Sequence, residues 1–251
     1  MELNLKGRRV VVAGGSRGIG RSIALGFAEA GAAVSICARG ADTLETTRKE
    51  LAAFGGTVHA QPSDLADVAA IAGYIPAAAA ALGGIDILVN NASGYGRGDD
   101  EESWALSLSV DLMAAVRASR EAMPWLMKAT EATIIHIASG SGLNPSVRTP
   151  AYGAAKAAVI HYTRTQAATL AKHGIRVNCV APGSIEFPGG SWEKRRTDDP
   201  KLYSGILNSM PAGRLGRPEE VASVVLFLAS SLAIWVTAQI VSVNGGQGFG
   251  R

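Results

Sequence analysis

The sequence predicts an α/β protein: a single doubly wound domain spanning residues 1–251, with a seven-stranded parallel sheet between two helical layers. Three observations predict it. Short, mostly β-branched or aliphatic segments recur along the chain. Longer segments with helical spacing separate them. The first apolar segment runs into a glycine-rich turn that opens a helix. In order, the strands are expected at 8–14, 33–38, 57–61, 85–90, 133–138, 175–181 and 239–243. Runs this apolar suit strands covered on both faces. The intervening helices include 19–30 and 65–82, with the alanine run 77–81 as helix interior. No Pro/Gly/Ser-rich boundary divides the chain. Two stretches break the alternation, 93–103 after the fourth strand and 183–220 after the sixth. Both follow strand carboxyl ends, where open α/β sheets bind ligands. Residues about 93–103 and 184–217 are therefore expected to be irregular substrate loops and candidate lids.

Composition narrows the function classes. A chain of 251 residues buries a core large enough to need no disulfide or metal. The net charge is +3 and the longest basic block is "EKRR", which excludes a nucleic-acid footprint. Cys37 and Cys179 lie far apart in apolar runs and read as reduced, buried thiols. His59, His136, His161 and His173 have no spacing that suggests metal binding, and His136 reads as a strand residue satisfied inside the sheet. The N-terminus has no signal-peptide layout and no uncharged run is long enough to cross a bilayer, so a cytoplasmic protein with no membrane partner is expected.

The first chemical motif is "GGSRGIG", from Gly14 through Ser16, Arg17, Gly18 and Ile19 to Gly20. Between a strand and a helix, such glycines allow a tight turn and a close approach of backbone to pyrophosphate. The helix N-terminus adds free N–H groups and partial positive charge. An NAD site usually places Asp or Glu at the end of the second strand, about 20 residues on. Here Ala38 and Arg39 stand there. No carboxylate opposes a 2′-phosphate, and Arg39 and Arg17 can pair with one through their fixed forks of donors. NADP(H) is favoured over NAD.

The second motif is "AYGAAK", which places Tyr152 and Lys156 four residues apart on one helix face. By themselves they fit a core tyrosine and a surface lysine. The rest of the chain changes that reading, because it resembles the short-chain dehydrogenase/reductase family over essentially its whole length, in the style of the 3-oxoacyl-carrier-protein reductases. The resemblance rests on "GGSRGIG", Asp64 of "SDL", "NNAS" (90–93), Ser139, "YGAAK", "APGSI" (181–185), "GRLGRPEEVA" and "VNGG". It implies a Rossmann fold and hydride transfer between a nicotinamide and a small-molecule carbonyl/alcohol pair. Tyr152 would be the acid/base, its pKa lowered toward neutrality by Lys156 together with the positive nicotinamide ring of the oxidised complex. Ser139, 13 residues before the tyrosine, would hold the substrate oxygen. The resemblance also implies that Asp64 and Leu65 contact adenine, Asn91 and Ala92 lie against the adenosine ribose, Lys156 holds the nicotinamide ribose, and Pro182, Gly183 and Ile185 fix the carboxamide side.

Three positions depart from the family pattern. Ala13 replaces a usual threonine, Ser93 a usual glycine, and Asp111 a catalytic asparagine. At Asp111 two outcomes compete: a carboxylate paired with Lys156, or an acid kept protonated by burial. Trp104 and Trp125 read as core or subunit interface. Trp192, Phe187, Tyr203 and Met210 read either as pocket lining or as self-packing of the long loop. The loops show no arginine pair or other anchor for a particular substrate group. The resemblance implies a homotetramer through the helix carrying 113–127, the helix after Tyr152 and the C-terminal end. The expected function is NADP(H)-dependent carbonyl reduction. The same fold oxidising alcohols with NAD, or holding NADPH as a non-catalytic sensor, are the alternatives.

Overall fold

Strands β1 (Arg9–Ala13) and β4 (Ile87–Asn90) lie side by side at the centre of the computed structural model, which describes residues 3–248. The remaining strands are β2 (Ala33–Ala38), β3 (Val58–Pro62), β5 (Thr133–Ile137), β6 (Arg176–Pro182) and β7 (Ile240–Val243). All pair in parallel, in the order β3-β2-β1-β4-β5-β6-β7. The order reverses between β1 and β4, so the chain leaves these neighbouring strands in opposite directions and opens a crevice at their carboxyl ends.

Alternation along each strand builds a core on both faces. Val10, Val12, Ile87 and Val89 point to one side, where they meet Phe27 of α1 (Gly18–Glu29), Leu44 and Leu51 of α2 (Ala41–Ala52) and Val221 and Val225 of α9 (Pro218–Ala229). Val11 and Leu88 point to the other. They meet Ile71 and Ile75 of α3 (Val68–Leu82), Ala118 and Leu126 of α5 (Ala114–Leu126) and Ala167 and Leu170 of α6 (Pro150–Leu170). Cys37 and Cys179 are free thiols, and burial pushes them up to about 12 and about 11, which keeps them protonated. His136 is buried in β5, where its ring bonds Asn90 and Gln166. Trp125 packs at the margin of the second core face, and Trp104 donates to Asp99 at 2.9 Å. No helix among the described residues is long and apolar enough to cross a membrane.

Boundaries shift by up to three residues from the sequence pattern. Helix α3 starts at Val68 rather than residue 65, because Asp67 caps it by accepting from Ala69 N at 2.8 Å. The larger correction concerns the two stretches expected to be irregular. Helix α4 (Glu101–Leu106) starts within the first and runs through a π-helical stretch, Ser107–Met113, into α5. The second folds into α7 (Ser191–Asp198) and α8 (Pro200–Ser209). Asp199 separates α7 from α8: it disfavours helical continuation as the residue before a proline, and its side chain caps α8 through Leu202 N at 3.0 Å.

Candidate active site

The crevice is a cleft of about 970 Å³ that runs from the glycine turn at one end to Tyr152 and α7 at the other. At the turn, Gly14 has φ +87°, and a Cβ there would lie 2.8 Å from the Cα of Ala92 beyond β4. A Cβ on Gly20 would lie 2.0 Å from Gly14 O and 2.4 Å from Asn91 Nδ2, the group that donates to that carbonyl at 2.7 Å. Only hydrogen fits at Gly20, and the turn can then close against both strands. Ser16, Arg17 and Ile19 line the cleft. Gly18 does not, because the Phe187 ring covers it, and Gly20 acts by packing alone. Helix α1 has no side-chain cap at Arg17, which leaves its first N–H groups for an anion.

The residues expected to meet adenosine lie together along one wall. Arg39, Asp64, Leu65, Asn91 and Ala92 all line the cleft, with Ser93 beside them. Arg17 and Arg39 are exposed there, and no carboxylate lies within 4 Å of either among the described residues. Asp64 accepts from Ala66 N at 3.0 Å through one oxygen. On the opposite wall stand Pro182, Gly183 and Ile185 at the end of β6. Their turn is held by Gln247, whose Oε1 accepts from Ser184 N at 2.8 Å while its Nε2 donates to Ser184 Oγ at 3.0 Å. The sequence reading missed Gln247; its one signal is a polar side chain set between glycines in "VNGGQG". The glycine cradle, the uncapped helix and these walls fit a dinucleotide.

Helix α6 carries Tyr152 and Lys156 to the middle of the cleft. Ser139, just after β5, faces them, its Oγ accepting from Ser141 N at 3.1 Å. Lys156 Nζ lies 5.6 Å from the Tyr152 ring centre and donates to Ile137 O at 3.0 Å. Asp111, in the π-helical stretch, joins them: its Oδ1 is 3.3 Å from Lys156 Nζ, with both side chains buried. Its Oδ2 accepts from Gly94 N at 3.2 Å and Tyr95 N at 3.1 Å. Of the two outcomes open at this position, the geometry is that of the ion pair.

Part of the Tyr152 ring faces the cleft, while its phenol end is enclosed. Burial outweighs Lys156 and holds the phenol above its usual range, with Asp111 adding to the rise and Ser139 opposing it. In the protein alone burial wins; the expected downward shift counts on the positive nicotinamide ring beside Lys156 and belongs to the cofactor-loaded enzyme. Burial also works against the Lys156 ammonium, but Asp111 and Tyr152 more than offset it and keep Lys156 charged above its ordinary value.

Tyr95 was not foreseen. It has φ +54°, a left-handed conformation rare for a tyrosine, and Asp111 holds its N–H in that state. Its ring stands edge-on to Tyr152, with centroids 5.0 Å apart and planes at 81°. Arginines that the sequence reading did not single out also appear: two meet Tyr95 and a third lines the cleft. Arg97 lies over the Tyr95 ring, Arg195 donates to its hydroxyl at 3.0 Å, and Arg148 lines the cleft nearby. These arginines come from three distant segments, so no local motif announces them. Of the two readings left open for the long-loop residues, Trp192 and Phe187 take the first and line the cleft. Met210 and Tyr203 do not. Met210 is buried beside the 245 turn, and Tyr203 donates to Glu186 in a second groove beyond Phe187.

A family model described as enoyl-(acyl carrier protein) reductase matches residues 13–247. The 3-oxoacyl-acyl-carrier-protein reductase of Thermotoga maritima is 34% identical over 97% of this chain and 99% of its own. The chain belongs to the short-chain dehydrogenase/reductase family. Isoepoxydon dehydrogenase of Aspergillus clavatus is 37% identical over 97% of this short-chain dehydrogenase/reductase and 95% of its own chain. The L-sorbose reductase of Gluconobacter frateurii, solved with NADPH and L-sorbose, superposes with a TM-score of 0.92 at 32% identity over 98% of both chains. The short-chain dehydrogenase/reductase described here is thus an NAD(P)-binding oxidoreductase of the CH–OH/carbonyl class.

Proposed function

We propose that this enzyme reduces a carbonyl to an alcohol with NADPH, using Tyr152 as the proton donor. One observation carries the reading: Tyr152, Ser139 and a buried, charged Lys156 share the wall of the cleft whose far end is the glycine turn. NADPH supplies the hydride when bound. The Ser139 hydroxyl donates to the substrate carbonyl oxygen and orients it. Tyr152 gives its proton to the oxygen that gains negative charge, and Lys156 stabilises the tyrosinate left behind. Arg17 and Arg39 hold the 2′-phosphate, at the strand end where Ala38 offers no opposing charge. The NADPH-bound sorbose reductase supports that choice of cofactor. Helices α5 and α6, with the exposed Ile234 and Trp235 near the C-terminal end, make a homotetramer the favoured assembly.

NADPH consumption over a panel of ketones and 3-oxoacyl thioesters tests the reading. At least one class is reduced, and Tyr152→Phe lowers kcat by about 10²–10⁴ without loss of NADPH binding. Full activity in Tyr152→Phe, or no reduction of any carbonyl, overturns it.

A further inference from the structure

We propose that the substrate carries a carboxylate a few bonds from its reacting carbonyl, held by Arg195, so that the enzyme acts on short-chain oxo acids. The inference rests on the carbonyl-reduction reading above and adds the substrate class. Arg195 lies on α7 and lines the Tyr152 end of the cleft. Two contacts fix its guanidinium without neutralising it. One N–H donates to the Tyr95 hydroxyl at 3.0 Å, and its Cζ lies over the Trp192 ring, 4.7 Å from the ring centre. Among the described residues no carboxylate comes within 4 Å of Arg195, whereas the adjacent Arg196 is paired with Glu186. A guanidinium carries five N–H donors in a fork that matches a carboxylate. The single bond to Tyr95 leaves most of that fork free.

The surrounding charges point the same way. Arg148 also lines this end of the cleft, and its partner Asp199 is 3.9 Å away with both side chains well exposed. Arg97 covers the Tyr95 ring from 5.3 Å. The other nearby acids are engaged: Asp111 with Lys156, and Glu193 with Gly189 N at 2.6 Å. Arg195 and Arg148 therefore line this part of the cleft together, and of the two only Arg148 has a carboxylate within 4 Å among the described residues. Reach then selects among anionic substrates. Arg195 is separated from the Tyr152 ring by the width of Tyr95, which packs on both. An anion on Arg195 must sit close to the carbonyl that Tyr152 protonates. A short oxo acid meets that requirement. The phosphates of a coenzyme A thioester, at the far end of a long arm, do not.

The test compares acids with their neutral esters. kcat/KM is measured with acetoacetate, methyl acetoacetate, levulinate, methyl levulinate and acetoacetyl-CoA, for wild type, Arg195→Gln and Arg195→Lys. One of the two acids is reduced at least about tenfold more efficiently than its ester, the worth of one charge-assisted pair. Arg195→Gln raises KM for that acid about 10- to 100-fold and leaves the ester unchanged. Arg195→Lys recovers part of the loss. A merely structural role would slow acid and ester alike. Equal handling of acid and ester by wild type overturns the proposal, as does a parallel loss in Arg195→Gln. Preference for acetoacetyl-CoA that depends on Arg195 also overturns it, since the anion would then be a phosphate. A second measurement needs no turnover. Levulinate and acetoacetate are titrated into NADP⁺-loaded Tyr152→Phe enzyme while Trp192 fluorescence is followed, with Trp192→Phe as the blank. A saturable change with an acid, absent with its ester and in Arg195→Gln, supports the anion site even if no carbonyl is reduced, in which case the catalytic reading alone falls. No saturable change with either acid sinks the anion site, whatever the reductase activity.

Discussion

Asp111 differs from an amide by one charge and one lost donor, and both differences act on Tyr152. Its carboxylate pairs with Lys156 at 3.3 Å and raises the Tyr152 pKa, reinforcing burial against the lysine. A tyrosine that donates a proton must be protonated, so the reductase rate falls as pH rises through its pKa. Removing the Asp111 charge lowers that pKa. Asp111→Asn is therefore expected to move the basic limb of the kcat/KM profile to lower pH, measured from about pH 6 to 10. An unmoved or upward-shifted limb contradicts this account. The same change leaves Lys156 buried without its counter-charge, so Tm should drop, toward the ~3–5 kcal/mol cost of breaking a buried pair. Arg39 gives the second residue-scale prediction. Each charged contact to a 2′-phosphate contributes about 1.5–3 kcal/mol, so Arg39→Asp should abolish or reverse a preference for NADPH over NADH. Equal kcat/KM with both cofactors in the wild type would refute the assignment.

At the scale of elements, α9 shows how a distant helix supports the cofactor turn, since it packs against α1 across one core face. Its first turn is fixed by Glu220, which accepts from Arg217 N at 2.8 Å and pairs with Arg214. The Arg214 guanidinium and then that N–H hold the Glu220 carboxyl down at about 2. A folded-state pKa below the unfolded value stabilises above the unfolded pKa, and that stability is lost as pH falls toward the folded one. Wild type should lose Tm relative to Glu220→Gln as pH falls from about 4.5 to about 2. Parallel melting curves across that range would show that the cap contributes nothing. Such elements were unevenly legible in the sequence. The strands and the glycine turn announce themselves through local composition, as do Tyr152 and Lys156 through helical spacing. Ser139, Asn91 and Asp64 were placed by resemblance and do line the cleft. Helices α7 and α8 were hidden because a run such as "SWEKRRTDDPKLYSG" has little apolar periodicity and a proline in its middle. The Tyr95–Arg195 contact was hidden for another reason: it joins residues 100 apart, and only the folded sheet brings them together.

The whole molecule leaves Trp235 97% exposed and Ile234 55% exposed beside each other, an unusual cost for a surface meeting water. Light scattering at micromolar concentration is expected to give a tetramer, and Trp235→Arg to give a smaller species. A monomeric wild type would rule the assembly out. A separate consequence follows from the bond between Asn91 Nδ2 and Gly14 O, which joins positions 77 residues apart. The phosphate turn is encoded near the beginning of the chain, yet its closure waits for β4 to dock. During synthesis the first strand, turn and helix emerge without the partner that shapes them, and a non-local pairing of this kind is slow to form. Once closed, the turn is held together by whatever bridges its two strands. A dinucleotide bound across that seam, at a concentration of 100 times its Kd, would add about 2.7 kcal/mol to the folded state. Cofactor supply would then bear on how much of the chain stays folded as well as on how fast it works.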